Sequence, residues 1–166
     1  MDAVLERARR IRLLVLDVDG VLTDGRLYLS DSGEEFKVFH VRDGSGIVAV
    51  RRAGIEVAII SGRDCGAVVR RAAELGIRLA RQGASDKAHE LEALAAKLGT
   101  TREEMACVGD DTPDLPMMRR TALAIAVADA HVIAAAAWAR RPKGGRGAGR
   151  EVCDLLLHAR QAPVSD

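Results

Sequence analysis

The sequence predicts an α/β fold: a Rossmann-like, doubly wound parallel sheet with a β-hairpin inserted directly after its first strand. Three observations carry this expectation. Apolar runs of strand length alternate with segments whose apolar residues recur at helical spacing, the order that a parallel sheet with right-handed crossovers requires. The first run, "IRLLVLD" (11–17), is continuous rather than alternating, as in a strand covered on both faces. The 166 residues suit one domain with one core.

The elements follow in order. After the first strand, "RLYLSDSGEEFKVFHV" (26–41) holds two partly alternating runs around "SDSGE" and reads as the hairpin. Strands are expected at "IEVAIIS" (55–61), "IRLARQ" (77–82), "MACVGDD" (105–111) and "ALAIAVAD" (122–129). Helices are expected at "GSGIVAVRRAG" (44–54), "DCGAVVRRAAEL" (64–75), "SDKAHELEALAAKLG" (85–99) and "DLPMMRR" (114–120). Gly54, Gly76 and Gly99 stand at the expected C-terminal caps. Thr101 and Glu104 form a capping box before a short helical turn. Near the end, the glycine- and arginine-rich "RPKGGRGAGR" (141–150) reads as a mobile loop, followed by an amphipathic helix at "EVCDLLLHA". No repeat or linker breaks the chain, so residues 1–166 are read as a single domain with a C-terminal tail at 141–166.

Composition excludes several classes. The chain is 48% hydrophobic and 30% charged with a net charge of +1, as in a soluble globular protein and too weakly basic for a nucleic-acid partner. Tyr28, Phe36, Phe39 and Trp138 are the only aromatics and make no platform for stacking bases. Cys65, Cys107 and Cys153 are odd in number and far apart, as expected of unpaired thiols in a reducing compartment. The charges flanking the short apolar run of "MDAVLERARRIRLLVLDVDG" do not suit a signal peptide. No run approaches the ~20 apolar residues of a membrane span. The expected location is therefore the cytoplasm.

The chemistry lies where strands end. In an open parallel sheet, side chains just past the carboxyl ends of the strands converge on one crevice. Here those positions carry Asp17 and Asp19, Ser61, and Asp110, Asp111 and Asp114, with Lys87 opening the helix after the third strand. Clustered carboxylates repel unless a cation sits among them, and hard oxygen donors favour Mg²⁺. A divalent ion, a lysine and a hydroxyl together make a receptor for phosphate. Asp17 is then the candidate nucleophile, forming an aspartyl-phosphate. Asp19 is the candidate general acid for the leaving oxygen and general base for the hydrolytic water. Ser61 would hold a phosphoryl oxygen and Lys87 would neutralise developing charge. Asp110 would complete the metal site, supported by Asp111 and Asp114. Taken singly, Asp24 suits a turn, Asp114 a helix cap, and the Arg51-Arg52 and Arg70-Arg71 pairs solvated helix faces. His89, His131 and His158 have no ligand-like spacing.

"DVDGVLTDG", "IISGR", Lys87 and "GDDTPDLP" resemble, in order and spacing, the motifs of the haloacid dehalogenase superfamily of aspartate-nucleophile phosphatases. Within it, "FHVRDGSGI", "SGRDCGAVVRRAAELGI", "VADAH" and "GGRGAGREVCDLLL" resemble the 3-deoxy-D-manno-octulosonate 8-phosphate phosphatases, a capless, homotetrameric branch that serves lipopolysaccharide synthesis. The resemblance implies that Asp17, Asp110 and the backbone carbonyl of Asp19 hold Mg²⁺. It further implies that Asp19, His40, Arg42, Asp43, Gly44, Arg63, Arg71 and Lys87 lie against a phosphorylated acidic sugar. The chain has no room for a separate cap domain. The hairpin's Leu27, Leu29, Phe36 and Phe39 are then expected to be buried between subunits, and a neighbour's "GGRGAGR" to bring Arg146 or Arg150 over the site. Val48 stands where relatives often carry a basic residue, and "AAAAWARR" departs from the usual small polar strand. Phosphatases of nine-carbon sialic-type sugar 9-phosphates are a second reading. A phospho-receiver domain and a non-catalytic oligomerisation module are readings from other classes; a receiver would carry its phosphorylated Asp after a later strand, where "IIS" has none.

Overall fold

The computed structural model describes residues 2–131, 138–139 and 142–161. Six parallel strands form one sheet: β1 (Leu13–Leu16), β4 (Glu56–Ile60), β5 (Leu79–Arg81), β6 (Met105–Gly109), β7 (Leu123–Ala126) and β8 (Trp138–Ala139), in the order β5-β4-β1-β6-β7-β8. The chain moves outward from β1 to β4 and β5, then crosses back to β6 and continues outward the other way. Right-handed crossovers place the helices of these two halves on opposite faces. The order reverses at β1, so the crevice beyond its carboxyl end is the expected place for a ligand.

Every residue of β1 is fully buried because β1 pairs on both sides, Leu16 facing Ile59 on one and Val108 on the other. The buried aliphatic residues join in one cluster from Ala8 to Ala159. Helix α2 (Val41–Arg52) packs on α6 (Ala148–Gln161), which also packs on α1 (Asp2–Arg10). Helix α4 (Lys87–Leu98) packs on α5 (Leu115–Met118) and β4, and α3 (Gly66–Glu74) connects β4 to β5. Asp86 caps α4 by accepting a hydrogen bond from the His89 N–H at 3.0 Å. The three cysteines are buried and unpaired, and burial pushes the Cys153 thiol up to about 12. Among the described residues no helix is long and apolar enough to cross a membrane.

Four segments differ from the sequence expectation. Helix α1 was not foreseen; its arginines reach the backbone carbonyls of Ala122 and Ala159 and fasten it beneath the sheet. The hairpin is shorter than 26–41: β2 (Tyr28–Leu29) pairs antiparallel with β3 (Glu35–Phe36), and Val41 already belongs to α2. His40 ends the hairpin because its ring Nδ1 accepts the Arg42 N–H and caps α2. Trp138 and Ala139, in a stretch not expected as a regular strand, extend the sheet edge as β8 beside Ile125 and Ala126.

The fourth difference concerns the tail. Residues 142–147 are anchored to their own chain rather than forming a free loop. The Gly144 N–H donates to Asp129 Oδ1 at 3.0 Å, and the Gly145 N–H donates to the Val21 carbonyl at 2.9 Å. Helix α6 then buries Val152, Cys153, Leu156 and Ala159. Arg146 and Arg150 therefore belong to a segment packed in cis, and removing residues from 143 onward would remove a core helix. Residues 162–166 lie outside the described residues.

The close approach at Gly144 generates a prediction. A Cβ there would stand 1.7 Å from the Gly20 carbonyl oxygen, a contact that only backbone movement can relieve. Gly144→Ala should cost about 1–3 kcal/mol in urea unfolding, as overpacked sites do. Gly66→Ala, whose Cβ would meet nothing within 4 Å, should be neutral or stabilising by up to about 1 kcal/mol.

Candidate active site

The parallel ladder carries Asp17 past the end of β1, where its N–H still donates to the Val108 carbonyl at 3.1 Å. The chain then turns sharply, with the N–H groups of Val21, Leu22 and Thr23 all directed at the Val18 carbonyl. Gly20 makes this turn at φ +90°, and a Cβ there would fall 1.9 Å from Asp110 Oδ2. Only glycine brings the two loops so close. The pairing of β1 with β6 thus sets Asp17 beside Asp110, one residue past β6.

Asp114, 1% exposed, organises the second loop. Its Oδ2 accepts the N–H groups of Asp110 at 2.9 Å and Asp111 at 3.3 Å. Its Oδ1 accepts from Lys87 Nζ at 2.6 Å, and the same ammonium lies 2.8 Å from Asp17 Oδ1. Asp111 bonds its neighbour's N–H at Thr112 and caps a short turn. Ser61 is buried at the end of β4, where its Oγ accepts the Arg63 N–H at 3.4 Å. Asp17, Asp19, Ser61, Arg63, Lys87, Asp110, Asp111 and Asp114 line one open crevice.

The electrostatics of the crevice call for a cation. Burial first, and then the Asp114 carboxylate, push Asp17 up to about 6 against the pull of Lys87. Burial and the charges of Asp17, Asp114 and Asp111 push Asp110 up to about 8. Burial lowers the Lys87 ammonium, but Asp17 and Asp114 outweigh it and hold the group above its ordinary value. One lysine does not neutralise three carboxylates. Oxygens of Asp17, Asp110 and Asp114 lie within 4.8 Å of one another, and this all-oxygen donor set fits Mg²⁺.

Two members of the site were missed in the sequence. Lys37 and Glu35 reach in from the hairpin: Lys37 Nζ forms an ion pair with Asp19 Oδ1 and lies 2.8 Å from Glu35 Oε1. Glu35 Oε2 accepts from Arg63 Nη2 at 2.7 Å, and Arg63 Nε stands 3.9 Å from Asp19 Oδ2. The signal was the alternation in "EEFKVF", read from its apolar half; the charged half is the one that faces inward.

His40, Arg42, Asp43, Gly44 and Arg71 do not join this crevice within the protomer. His40, Asp43, Gly44 and Arg71 line a separate small concavity with Leu22 and Phe39. Asp43 is buried there and accepts the Arg150 N–H at 2.8 Å, which fastens the first turn of α6. Arg71 pairs with Glu74 at 3.1 Å and lies over the Phe39 ring, while Arg42 is exposed.

Comparison with known proteins adds independent findings. Residues 79–139 match the family model described as haloacid dehalogenase-like hydrolase. Over 158 residues the chain is 51% identical to the 3-deoxy-D-manno-octulosonate 8-phosphate phosphatase of Escherichia coli K12, covering 94% of this chain and 84% of that protein. The crystal structure of the Yersinia pestis phosphatase of the same name matches with a TM-score of 0.95 at 48% identity, covering 96% of this chain and 88% of that one. The phosphatase from Moraxella catarrhalis, solved in complex with a magnesium ion, a phosphate ion and a KDO molecule, also matches with a TM-score of 0.95, at 40% identity over 97% of this chain and 94% of that one.

The raised carboxyls make metal binding and stability depend on pH in a defined direction. Between the ordinary carboxylate range near pH 4 and about pH 8, the metal-free folded state binds more protons than the unfolded state, so its stability falls as pH rises. Mg²⁺ relieves that cost where the carboxyls are ionised. The melting temperature of EDTA-treated protein should drop from about pH 6 to about pH 8, and the gain on adding Mg²⁺ should be larger at the higher pH. An equal gain at both would contradict the crowded-carboxylate account.

Proposed function

The chain belongs to the 3-deoxy-D-manno-octulosonate 8-phosphate phosphatase family of haloacid dehalogenase-like hydrolases, and from that membership we propose how its residues carry out the reaction. The protein is a Mg²⁺-dependent phosphoric monoester hydrolase. It cleaves 3-deoxy-D-manno-octulosonate 8-phosphate to the free sugar acid and phosphate, a step in lipopolysaccharide precursor synthesis. The observation that carries the reading is the convergence of Asp17, Asp110 and Asp114 on Lys87 at the switch point of the sheet.

Asp17 attacks phosphorus and becomes the aspartyl-phosphate as the sugar oxygen departs. Asp19 gives that oxygen its proton, then takes one from the water that attacks the intermediate and frees Asp17. Lys87 and Ser61 hold phosphoryl oxygens, the lysine neutralising charge and the hydroxyl fixing orientation. Asp17, Asp110 and the Asp19 carbonyl would hold Mg²⁺, which supplies positive charge against the phosphoryl group. Asp114 and Asp111 support the site from behind, since both Asp114 oxygens are already engaged by Lys87 and by backbone N–H groups. Arg63, at the crevice mouth, meets the sugar acid.

The assembly is proposed to be a cytoplasmic homotetramer built on the hairpin. Leu27, Leu29, Phe36 and Val38 are each more than half exposed, Phe36 and Val38 on the outer face and the two leucines on the opposite one, apolar surface that a monomer would leave wet. Phe39 does not belong to this face; it packs partly buried against the core. Arg42 and Arg71, outside their own crevice, reach substrate in this arrangement only from a neighbouring subunit.

Asp17→Asn should abolish turnover with the fold intact. Asp19→Asn should bind Mg²⁺ nearly as the wild type does and turn over about 10²–10⁴-fold more slowly, whereas Asp110→Ala should lose metal affinity. Calorimetric Mg²⁺ titration beside phosphate-release assays separates the three, and residual turnover by Asp17→Asn would overturn the covalent route. A hydrolysis screen should favour the eight-carbon 8-phosphate over nine-carbon 9-phosphates, and light scattering should give a tetramer.

A further inference from the structure

The hairpin does more than present an apolar face. Glu35 and Lys37 lie two residues apart and point to the same side of the chain, opposite the exposed Phe36 and Val38. The Lys37 side chain is only 2% exposed. Its ammonium sits between Asp19 Oδ1 and Glu35 Oε1, while Glu35 Oε2 takes Arg63. Asp19 Oδ2 is closed off from solvent and has no hydrogen-bond partner among the described residues. The two oxygens of one carboxylate are therefore unequal: one is tied to the hairpin, and the other is buried with no hydrogen bond, the Arg63 guanidinium standing 3.9 Å away. Buried ion pairs add little net stability compared with apolar packing, so stability alone gives poor reason for placing a lysine there.

Resting on the phosphatase reading, we propose that Lys37 is a positioning residue for Asp19. It holds the carboxyl by Oδ1 and leaves Oδ2, which no hydrogen bond restrains, as the oxygen that turns into the crevice and exchanges protons with the reacting groups. In the first half-reaction the Asp17 oxygen–phosphorus bond forms, the phosphorus–sugar oxygen bond breaks, and the proton passes from Asp19 Oδ2 to the sugar oxygen. In the second, water bonds to phosphorus, the Asp17 oxygen–phosphorus bond breaks, and the water's proton returns to Asp19 Oδ2. Lys37 keeps its own proton throughout and touches neither substrate nor phosphorus. Asp19 Oδ1 accepts from the ammonium in both the ionised and the protonated state of the carboxyl. Glu35 in turn holds the ammonium in place and links it to Arg63 at the mouth of the crevice.

The test uses leaving groups of different need. A sugar alkoxide must be protonated as it departs, whereas 4-nitrophenolate leaves without a proton. The ratio kcat/KM covers the steps through formation of the aspartyl-phosphate, so it isolates this departure from the later hydrolysis. Lys37→Met should lower kcat/KM on 3-deoxy-D-manno-octulosonate 8-phosphate by about 100-fold, the lower end of what a positioned acid contributes, with a much smaller loss on 4-nitrophenyl phosphate. Lys37→Arg should restore a large part of the sugar-phosphate rate. Glu35→Gln, which leaves the lysine in place but loosens it, should show a weaker loss with the same preference, and it tests the idea should Lys37→Met fail to fold. Equal losses on the two esters, or no loss on the sugar phosphate, would overturn the proposal while leaving the phosphatase reading in place. A wild-type protein that hydrolyses neither ester with Mg²⁺ would overturn that reading, and this proposal with it.

Discussion

Mutual repulsion among the carboxylates past β1 and β6 is the constraint to which the rest of the structure answers. Parallel pairing of the two strands, with Leu16 facing Val108, brings Asp17 and the Asp110 loop together, and burial then removes the water that would screen them. Among the described residues, Lys87 at the head of α4 is the one ammonium placed between Asp17 and Asp114. The backbone N–H groups of Asp110 and Asp111 satisfy the rest of Asp114. What remains is a net negative pocket around Asp110, which a hard divalent cation completes. A phosphoester brings further negative charge to the same place, so cation and substrate are bound by one electrostatic arrangement.

Holding charges this close needs a rigid frame, and the aliphatic core supplies it. β1 is buried on both faces, and α6 closes the core by packing on α2 and α1. The loop before α6 lies against the turn that follows Asp17, with Gly144 touching the Gly20 backbone. The same Gly20 abuts Asp110 on its other side. The C-terminal segment thus backs the catalytic turn from within its own chain, a structural reason for its glycines that does not depend on any neighbouring subunit.

Legibility in the sequence followed the range of the interactions. β1, β4 and β6 announced themselves as apolar runs, and Asp17, Ser61 and Asp110 could be placed because a strand end is a local feature. Lys87 was readable because it opens a capped helix. By contrast, Lys37 finds Asp19 through a hairpin whose strands pair only two residues each, too short to impose a pattern. Arg150 finds Asp43 across the whole fold, so the hydrogen bond by which Asp43 fastens α6 had no local signal in the sequence. The start of α2 was obscured by Gly44 and Gly46, poor helix formers whose neighbours carry the pattern. Helix α1 was hidden for another reason: its arginines hydrogen-bond to distant carbonyls, and a run rich in charge does not advertise packing.

The hairpin is where chemistry and assembly meet. A two-stranded ribbon this short has little stability of its own, so its position must be set by what lies on either side. On the inner side, the chain of charges from Asp19 through Lys37 and Glu35 to Arg63 ties it to the crevice. On the outer side, Phe36 and Val38 stay exposed in the protomer. In the proposed tetramer, covering that outer face would hold Glu35 and Lys37 in register with Asp19. With only this short hairpin between β1 and α2, the fold would then use its neighbours for part of the work a cap performs: ordering the residues that stand beside the acid–base group.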